Sequence, residues 1–312
     1  MPTGKTLHEH LADYLDYKLA LNFSAETLKT VRRNCRAFFR WLAQHYEVTT
    51  ADRLRKTQLE HWQKHLAAHQ TRKGTPLKAK SINKSVESVR GFLKYLAYHG
   101  HVPTTLVEAL QYVKEPKTLP GSVLTHAEVR KLLRRMDTTT TEGHRDRAML
   151  ELLYSSGIRV GELLGLDVEG VDLGNAAATV TGKGKKDRVV PIGRTALRYL
   201  ESYIVAVRPF LMTDRTERAL FLHRGKRIGY QRLLRIIHAA AVRVGIEKQV
   251  SPHTFRRSCT TELIRGNANL YHVKELLGHE TLATLKHYAK LTILDLKKTH
   301  AKCHPRERED RR

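Results

Sequence analysis

The 312 residues include only three cysteines, Cys35, Cys259 and Cys303, odd in number and far apart. This excludes a disulfide framework and a Cys-x-x-Cys zinc site. No apolar run approaches the roughly 18 residues of a membrane-spanning helix. The opening stretch, Met1 to His10, has no apolar core of the signal-peptide kind. The other shortage is of acid: 31 Asp and Glu stand against 56 Lys and Arg, a formal charge of +25. Such an excess repels itself and favours a polyanionic partner, nucleic acid before an anionic membrane. Together these features suit a soluble protein of a reducing, DNA-containing compartment, the cytoplasm and its nucleoid. Hydrophobic residues make up 41%, enough for packed cores, which excludes disorder throughout. The length fits two domains.

Periodicity supports that division. Ser24 as N-cap, followed by Leu28, Val31, Cys35, Phe38, Phe39 and Leu42, predicts a helix. A second is expected over about 57–69. Ser81 is expected to cap another, with Ile82, Val86, Val89, Phe92, Leu93 and Leu96 on its apolar face and Gly100 at its end. Residues 1–113 therefore read as an all-α unit. Residues 114–121 hold Pro116, Pro120 and Gly121 without apolar periodicity, and read as a linker. The remainder, 122–312, is mixed. Thr125 and Glu128 match a capping box. Residues 146–166 read as helix, a break at Ser155-Ser156-Gly157, and helix again. Ala178–Val180 and Arg188–Ile192 alternate like strands around the basic turn Gly182 to Asp187. Helical patterns resume from about residue 194. The expected fold is mainly α with a small β-sheet, an all-α domain followed by an α+β domain. Residues 1–115 hold 19 Lys and Arg against 10 Asp and Glu, and the rest hold 37 against 21. Both parts are basic, as two domains gripping one polyanion would be.

Three stretches combine phosphate-binding cations with a possible nucleophile. They are Gly157-Ile158-Arg159-Val160-Gly161-Glu162-Leu163, Ser251-Pro252-His253-Thr254-Phe255-Arg256-Arg257, and Leu277-Gly278-His279 with Tyr288 nine residues beyond. Taken singly, each has a plainer reading. Arg159 could be a surface ion-pair residue, His253 a helix-capping or core histidine, Tyr288 a packed aromatic. In this order, with Lys183 on the hairpin 24 residues after Arg159, they resemble the tyrosine recombinase (phage integrase) family, closest to its Xer-like branch. The resemblance covers nearly the whole chain. One departure is Arg257, where the family often has histidine.

The resemblance implies an N-terminal, SAM-like core-binding domain at 1–113 and a catalytic domain at 122–312, closing as a C-shaped clamp around DNA. It implies a catalytic set of Arg159, Lys183, His253, Arg256, His279 and the nucleophile Tyr288. The ending His300 to Arg306 is similar to Xer tails that pack on a neighbouring subunit. The implied partner is a double-stranded recombination site, bound by a tetramer on two duplexes, homomeric or shared with a second related recombinase. No membrane, metal or cofactor is implied, since the cations come from the protein.

The residue types suit such chemistry. A strand that must be resealed cannot be lost to water, and a tyrosine hydroxyl preserves the phosphodiester's energy as a covalent phosphotyrosyl link. Arginine forks fit the charge gathering on the non-bridging oxygens. A tyrosine titrating near a pKa of about 10 needs a base, for which His253 is placed, while His279 would hold a phosphate oxygen. Lys183 would protonate the departing 5′ oxygen, although Lys185 and Lys186 share the hairpin tip. Lys80, Lys84 and Arg90 form either a solvated helix face or a set of DNA backbone contacts. Arg90 stands where the family uses a residue on DNA. His8 with His10, and His300 with Cys303 and His304, have ligand-like spacing, but neither set completes four ligands. Two other classes remain open: a type IB topoisomerase-like enzyme and a DNA-binding relative without catalysis. For a recombinase, the setting is either chromosome-dimer resolution or integration and excision of a mobile element.

Overall fold

In the computed structural model the described residues are 4–71, 74–116, 122–182 and 186–278. The chain separates into two compact units, Met1–Thr118 and Leu119–Arg312.

The first unit is built from α1 (Leu7–Ala20), α2 (Ala25–Tyr46), α3 (Lys56–Ala68), α4 (Ala79–Tyr98) and the single turn α5 (Thr105–Glu108). Ser24 caps α2, its hydroxyl accepting from the Thr27 amide at 3.3 Å. The apolar stripes of α2 and α4 meet in the core, where Phe39 lies 5.3 Å from Phe92 and Phe38 lies 4.8 Å from Trp62 of α3. Burying each such ring stabilises the unit by about 1.5–3 kcal/mol, and this fixes which face of α4 is left for charge. Ser81 is not the cap of α4. The helix starts earlier, from Lys78 in extended conformation, and the Ser81 amide already donates to Lys78 O at 2.8 Å. Leu77 packs on the core and so sets the turn ahead of the serine. Gly100 follows the helix end at φ +74°.

The second unit opens with α6 (His126–Arg134), whose N-terminus carries the expected box between Thr125 and Glu128. Next come α7 (Thr141–Ser156) and α8 (Val160–Gly165), separated at Gly157. Helix α7 starts at Thr141, five residues before the expected 146, because its polar first turn is held by the Thr140 hydroxyl rather than by apolar contacts. The strands β1 (Val171–Asp172), β2 (Ala177–Thr181) and β3 (Asp187–Pro191) form an antiparallel sheet in that order, with Thr179 opposite Val189. Then follow α9 (Arg194–Ser202), a π-helical segment over Tyr203–Val207, and α10 (Arg208–Leu211). A two-stranded hairpin, β4 (Leu222–His223) and β5 (Lys226–Arg227), precedes α11 (Tyr230–Arg243), α12 (Pro252–Arg265) and α13 (Leu270–Leu277). The fold is mostly helical with small sheets. Helix α7 is its centre: Ala148, Met149, Leu150, Leu152 and Leu153 are all fully buried. Arg145 on the same helix is buried too, satisfied by Asp146 and by Leu222 O at 2.9 Å. That central helix delivers its C-terminus to the candidate site.

Candidate active site

Helix α7 stops at Gly157 in the left-handed region, φ +61°. A side chain in place of its hydrogen would strain the backbone and force its neighbours to move. A Cβ there would come within 2.8 Å of Leu277 Cδ2 and 3.1 Å of Cys259 Sγ. Two residues on, Arg159 stands in extended conformation as the N-cap of α8, and Glu162 lies one turn into that helix. The Glu162 carboxylate accepts the Arg159 backbone N–H at 2.7 Å and Arg159 Nη1 at 2.8 Å. The spacing Arg-x-x-Glu is therefore a fold requirement, since the glutamate closes the helix N-terminus and orients the arginine together.

Arg256 comes from the second turn of α12 and is 8% exposed. Its Nη1 donates to Gly157 O at 2.6 Å and its Nη2 to Leu277 O at 2.7 Å. Arg159 Nη2 donates to the next carbonyl, Gly278 O, at 2.5 Å. Leu277 O and Gly278 O belong to the last turn of α13 and its left-handed cap at Gly278, φ +61°, groups that a helix leaves without internal partners. Two arginines from segments nearly 100 residues apart thus converge on one helix end. Burial, helped by the nearby Arg159, lowers the Arg256 pKa to about 10, which leaves the guanidinium charged at neutral pH.

His253 occupies the first turn of α12, after the cap Ser251 and Pro252, and is exposed. Loss of solvent and the charges of Arg256, Arg257 and Arg159 lower its pKa. The imidazole is therefore neutral at pH 7, the form able to accept a proton. Arg257 lies on the same side of α12 one turn on, with Nη2 3.5 Å from Thr254 Oγ1.

The structure thus brings Arg159 and Arg256 together, with His253 on the helix that carries Arg256. Lys183, His279 and Tyr288 lie outside the described residues, as does the tail from His300 to Arg306. Gly182 and Lys186 frame the hairpin tip, and the Gly182 amide donates to Lys186 O at 2.8 Å. In the first unit Lys80, Lys84 and Arg90 all lie on α4. Lys80 and Lys84 are exposed, Lys84 pairing with Glu87 at 2.9 Å. Arg90 is half-buried with its guanidinium 5.5 Å from the Tyr112 ring. Lys84 and Arg90 border a cleft of about 500 Å³ that also takes in Lys18, Lys94, Phe23 and Tyr112. Among the described residues no three His, Cys, Asp or Glu side chains form a metal-binding group, and no helix is long and apolar enough to cross a membrane.

Arg188 was not anticipated. It lies on β3, and its Nη1 and Nη2 donate to the two oxygens of Glu162 at 2.7 and 2.9 Å. Its Nε reaches Leu276 O at 3.3 Å. Burial pushes the Glu162 carboxyl up, but the hydrogen bonds from Arg188 and Arg159 outweigh it and bring the pKa down to about 2. Strand alternation puts Arg188 on the face of the buried Val190, but nothing local in the sequence names the carboxylate it meets there.

Residues 122–293 match the phage integrase family, and residues 11–100 match the N-terminal SAM-like domain of phage integrases. The chain belongs to the phage integrase family. Within that family it is similar to tyrosine recombinase XerD of Listeria monocytogenes, 32% identical over 303 residues, covering 96% of this chain and 100% of the relative. It is also similar to XerD of Staphylococcus epidermidis, 39% identical over 232 residues, 73% of this chain and 77% of that one. Among solved structures, the Tn1549 transposon integrase, determined in complex with a circular intermediate DNA, superposes with a TM-score of 0.73. At 17% identity it covers 95% of this chain and 99% of its own, a likeness of fold.

Proposed function

We propose that this phage integrase family member carries out site-specific DNA recombination by cutting and rejoining strands through a 3′-phosphotyrosyl intermediate. The observation that carries the reading is the convergence of Arg159 and Arg256 on one helix end, beside a buried Glu162 that aims the first of them. Two guanidinium forks side by side suit the non-bridging oxygens of a phosphodiester, which gather charge as phosphorus becomes five-coordinate. Tyr288 Oη attacks phosphorus and its proton passes to His253. The P–O5′ bond breaks, and Lys183 gives a proton to the leaving oxygen, generating a free 5′-hydroxyl. His279 donates to a phosphate oxygen. A 5′-hydroxyl from the second duplex then attacks the phosphotyrosine, the strand is resealed and the phenol is restored.

On this reading residues 1–113 are the core-binding domain, 114–121 the linker and 122–312 the catalytic domain with its tail. Lys80, Lys84 and Arg90 contact the DNA backbone from α4, supported by the basic cleft that Lys84 and Arg90 border. The active assembly is a tetramer on two duplexes, with the residues after Thr292 docking on a neighbour, and it works in the cytoplasm on the nucleoid. The free, buried thiols of Cys35 and Cys259 suit a reducing compartment.

The test is incubation with nicked suicide duplexes tiled across the source genome, followed by denaturing electrophoresis. A covalent adduct at a discrete sequence supports the reading and maps the site. Absence of any adduct would leave a DNA-binding relative, and relaxation of supercoils without exchange between duplexes would leave the topoisomerase. Removal of the residues after Thr292 should spare binding of one site and impair exchange.

A further inference from the structure

We propose that Arg188 is a positioning residue for strand cleavage, tying the hairpin that bears Lys183 to Arg159 and to the helix end that precedes His279. The inference rests on the recombinase reading above and adds a residue that reading does not use.

The geometry is unusually complete around one carboxylate. Glu162 Oε1 accepts from Arg159 Nη1 and Arg188 Nη1, and Oε2 accepts from the Arg159 backbone N–H and Arg188 Nη2. Four donors fill the four acceptor sites of a carboxylate. Its side chain is 3% exposed, and that of Arg188 is 17% exposed. With Arg188 removed, two of the four acceptor sites are empty, and the Glu162 carboxylate is free to rotate about its terminal torsion and carry Arg159 Nη1 with it. Arg188 therefore determines where the Arg159 fork points.

The second connection is to α13. Leu276 O accepts from Arg188 Nε, Leu277 O from Arg256 and Gly278 O from Arg159. Three successive carbonyls at the negative end of one helix each meet a different arginine. Glycine is also favoured at 278, because φ is +61° and a Cβ there would lie 3.0 Å from Arg188 Cζ and Nε. The Arg188 guanidinium lies flat against the residue immediately before His279. It also sits five positions after Lys183 in the chain, on the strand that leaves the hairpin tip. One side chain thus links the three segments that carry Arg159, Lys183 and His279.

The experiment uses the full chain and a nicked suicide duplex containing the sequence that the wild type cleaves. Single-turnover adduct formation and duplex affinity are measured for Arg188→Met, Arg188→Lys, Arg159→Ala and the double variant Arg159→Ala/Arg188→Met. Arg188→Met should slow cleavage by about 10- to 100-fold, the scale of a misplaced catalytic group, with affinity within about threefold of wild type. Arg188→Lys, which keeps the charge and loses the fork, should recover only part of the rate. The double variant should lose clearly less than the product of the two single losses, because Arg188 acts in part through Arg159. Multiplicative losses in the double variant, a parallel fall in affinity, or wild-type rates in Arg188→Met would each overturn the proposal. A wild type that forms no adduct at any sequence would instead overturn the recombinase reading, and this inference with it.

Discussion

Arg256 donates to the carbonyl of Gly157 at 2.6 Å and so holds the turn from which Arg159 projects. The two arginines are not independent ligands for a common anion. One is part of the other's support, so loss of Arg256 displaces Arg159 as well as removing a charge. Arg256→Ala should therefore cost more cleavage than Arg159→Ala, and its losses should combine with those of Arg159→Ala far below the product of the two. Single-turnover adduct formation on the mapped site, run as a double-mutant cycle, is the measurement.

Tyr288→Phe should form no covalent adduct, a loss of about a thousandfold or more, while duplex affinity stays near wild type. Only the nucleophilic oxygen is removed. An adduct with the variant would place the nucleophile elsewhere.

Lys183→Ala should cleave ordinary DNA very slowly and regain most of its rate on a duplex with sulfur in place of the bridging 5′ oxygen. A thiolate leaves without a proton. Arg159→Ala should gain nothing, since its oxygens are unchanged. Rescue of Lys185→Ala or Lys186→Ala instead would move the proton donor along the hairpin tip.

Gly157→Ala should destabilise the second unit by about 1–3 kcal/mol, because φ is positive and Leu277 and Cys259 leave no room. Gly161→Ala, in α8 with nothing within 4 Å of the added carbon, should be neutral or slightly stabilising. Urea titrations of the two variants provide the contrast. Equal midpoints would contradict it.

The Glu162 carboxyl titrates in the folded chain near 2, below its ordinary value of 4.5. The unfolded chain therefore binds the proton first as pH falls. The stability this group contributes is complete above about 4.5 and is lost as pH falls from there towards 2. Glu162→Gln should flatten that part of the profile in thermal unfolding between pH 5 and 2. An unchanged slope would show that other carboxylates govern the acid limb.

The residues that were legible are those whose job is local. Ser24 and Thr125 announce helix starts by chemistry that acts over three residues, and Gly157 ends α7 by a backbone requirement that few other residues meet. The order of the arginine, histidine and leucine-glycine boxes gave the family because each is a short run with its own spacing. Arg188 was invisible for the opposite reason. Its partners, Glu162 and Leu276, lie 26 and 88 residues away, and a strand's alternation says which face a residue takes without saying what stands opposite. Ser81 misled because a capping residue and a helix-interior serine are the same letter, and the decision rested on Leu77 finding the core. The β4–β5 hairpin escaped because two-residue strands are shorter than any period.

The contact between Arg159 and Gly278 spans 119 residues of chain. Such a closure is entropically slow and comes after local helices have formed. During synthesis the ribosome releases Arg159 and Glu162 well before α13, so the Arg159 fork meets its last carbonyl partner only when nearly all of the second unit is out. A nascent chain can carry most of its positive charge, and settle on DNA through it, while the segment ahead of His279 is still unanchored. Readiness to cut thus arrives later in the life of each molecule than readiness to bind.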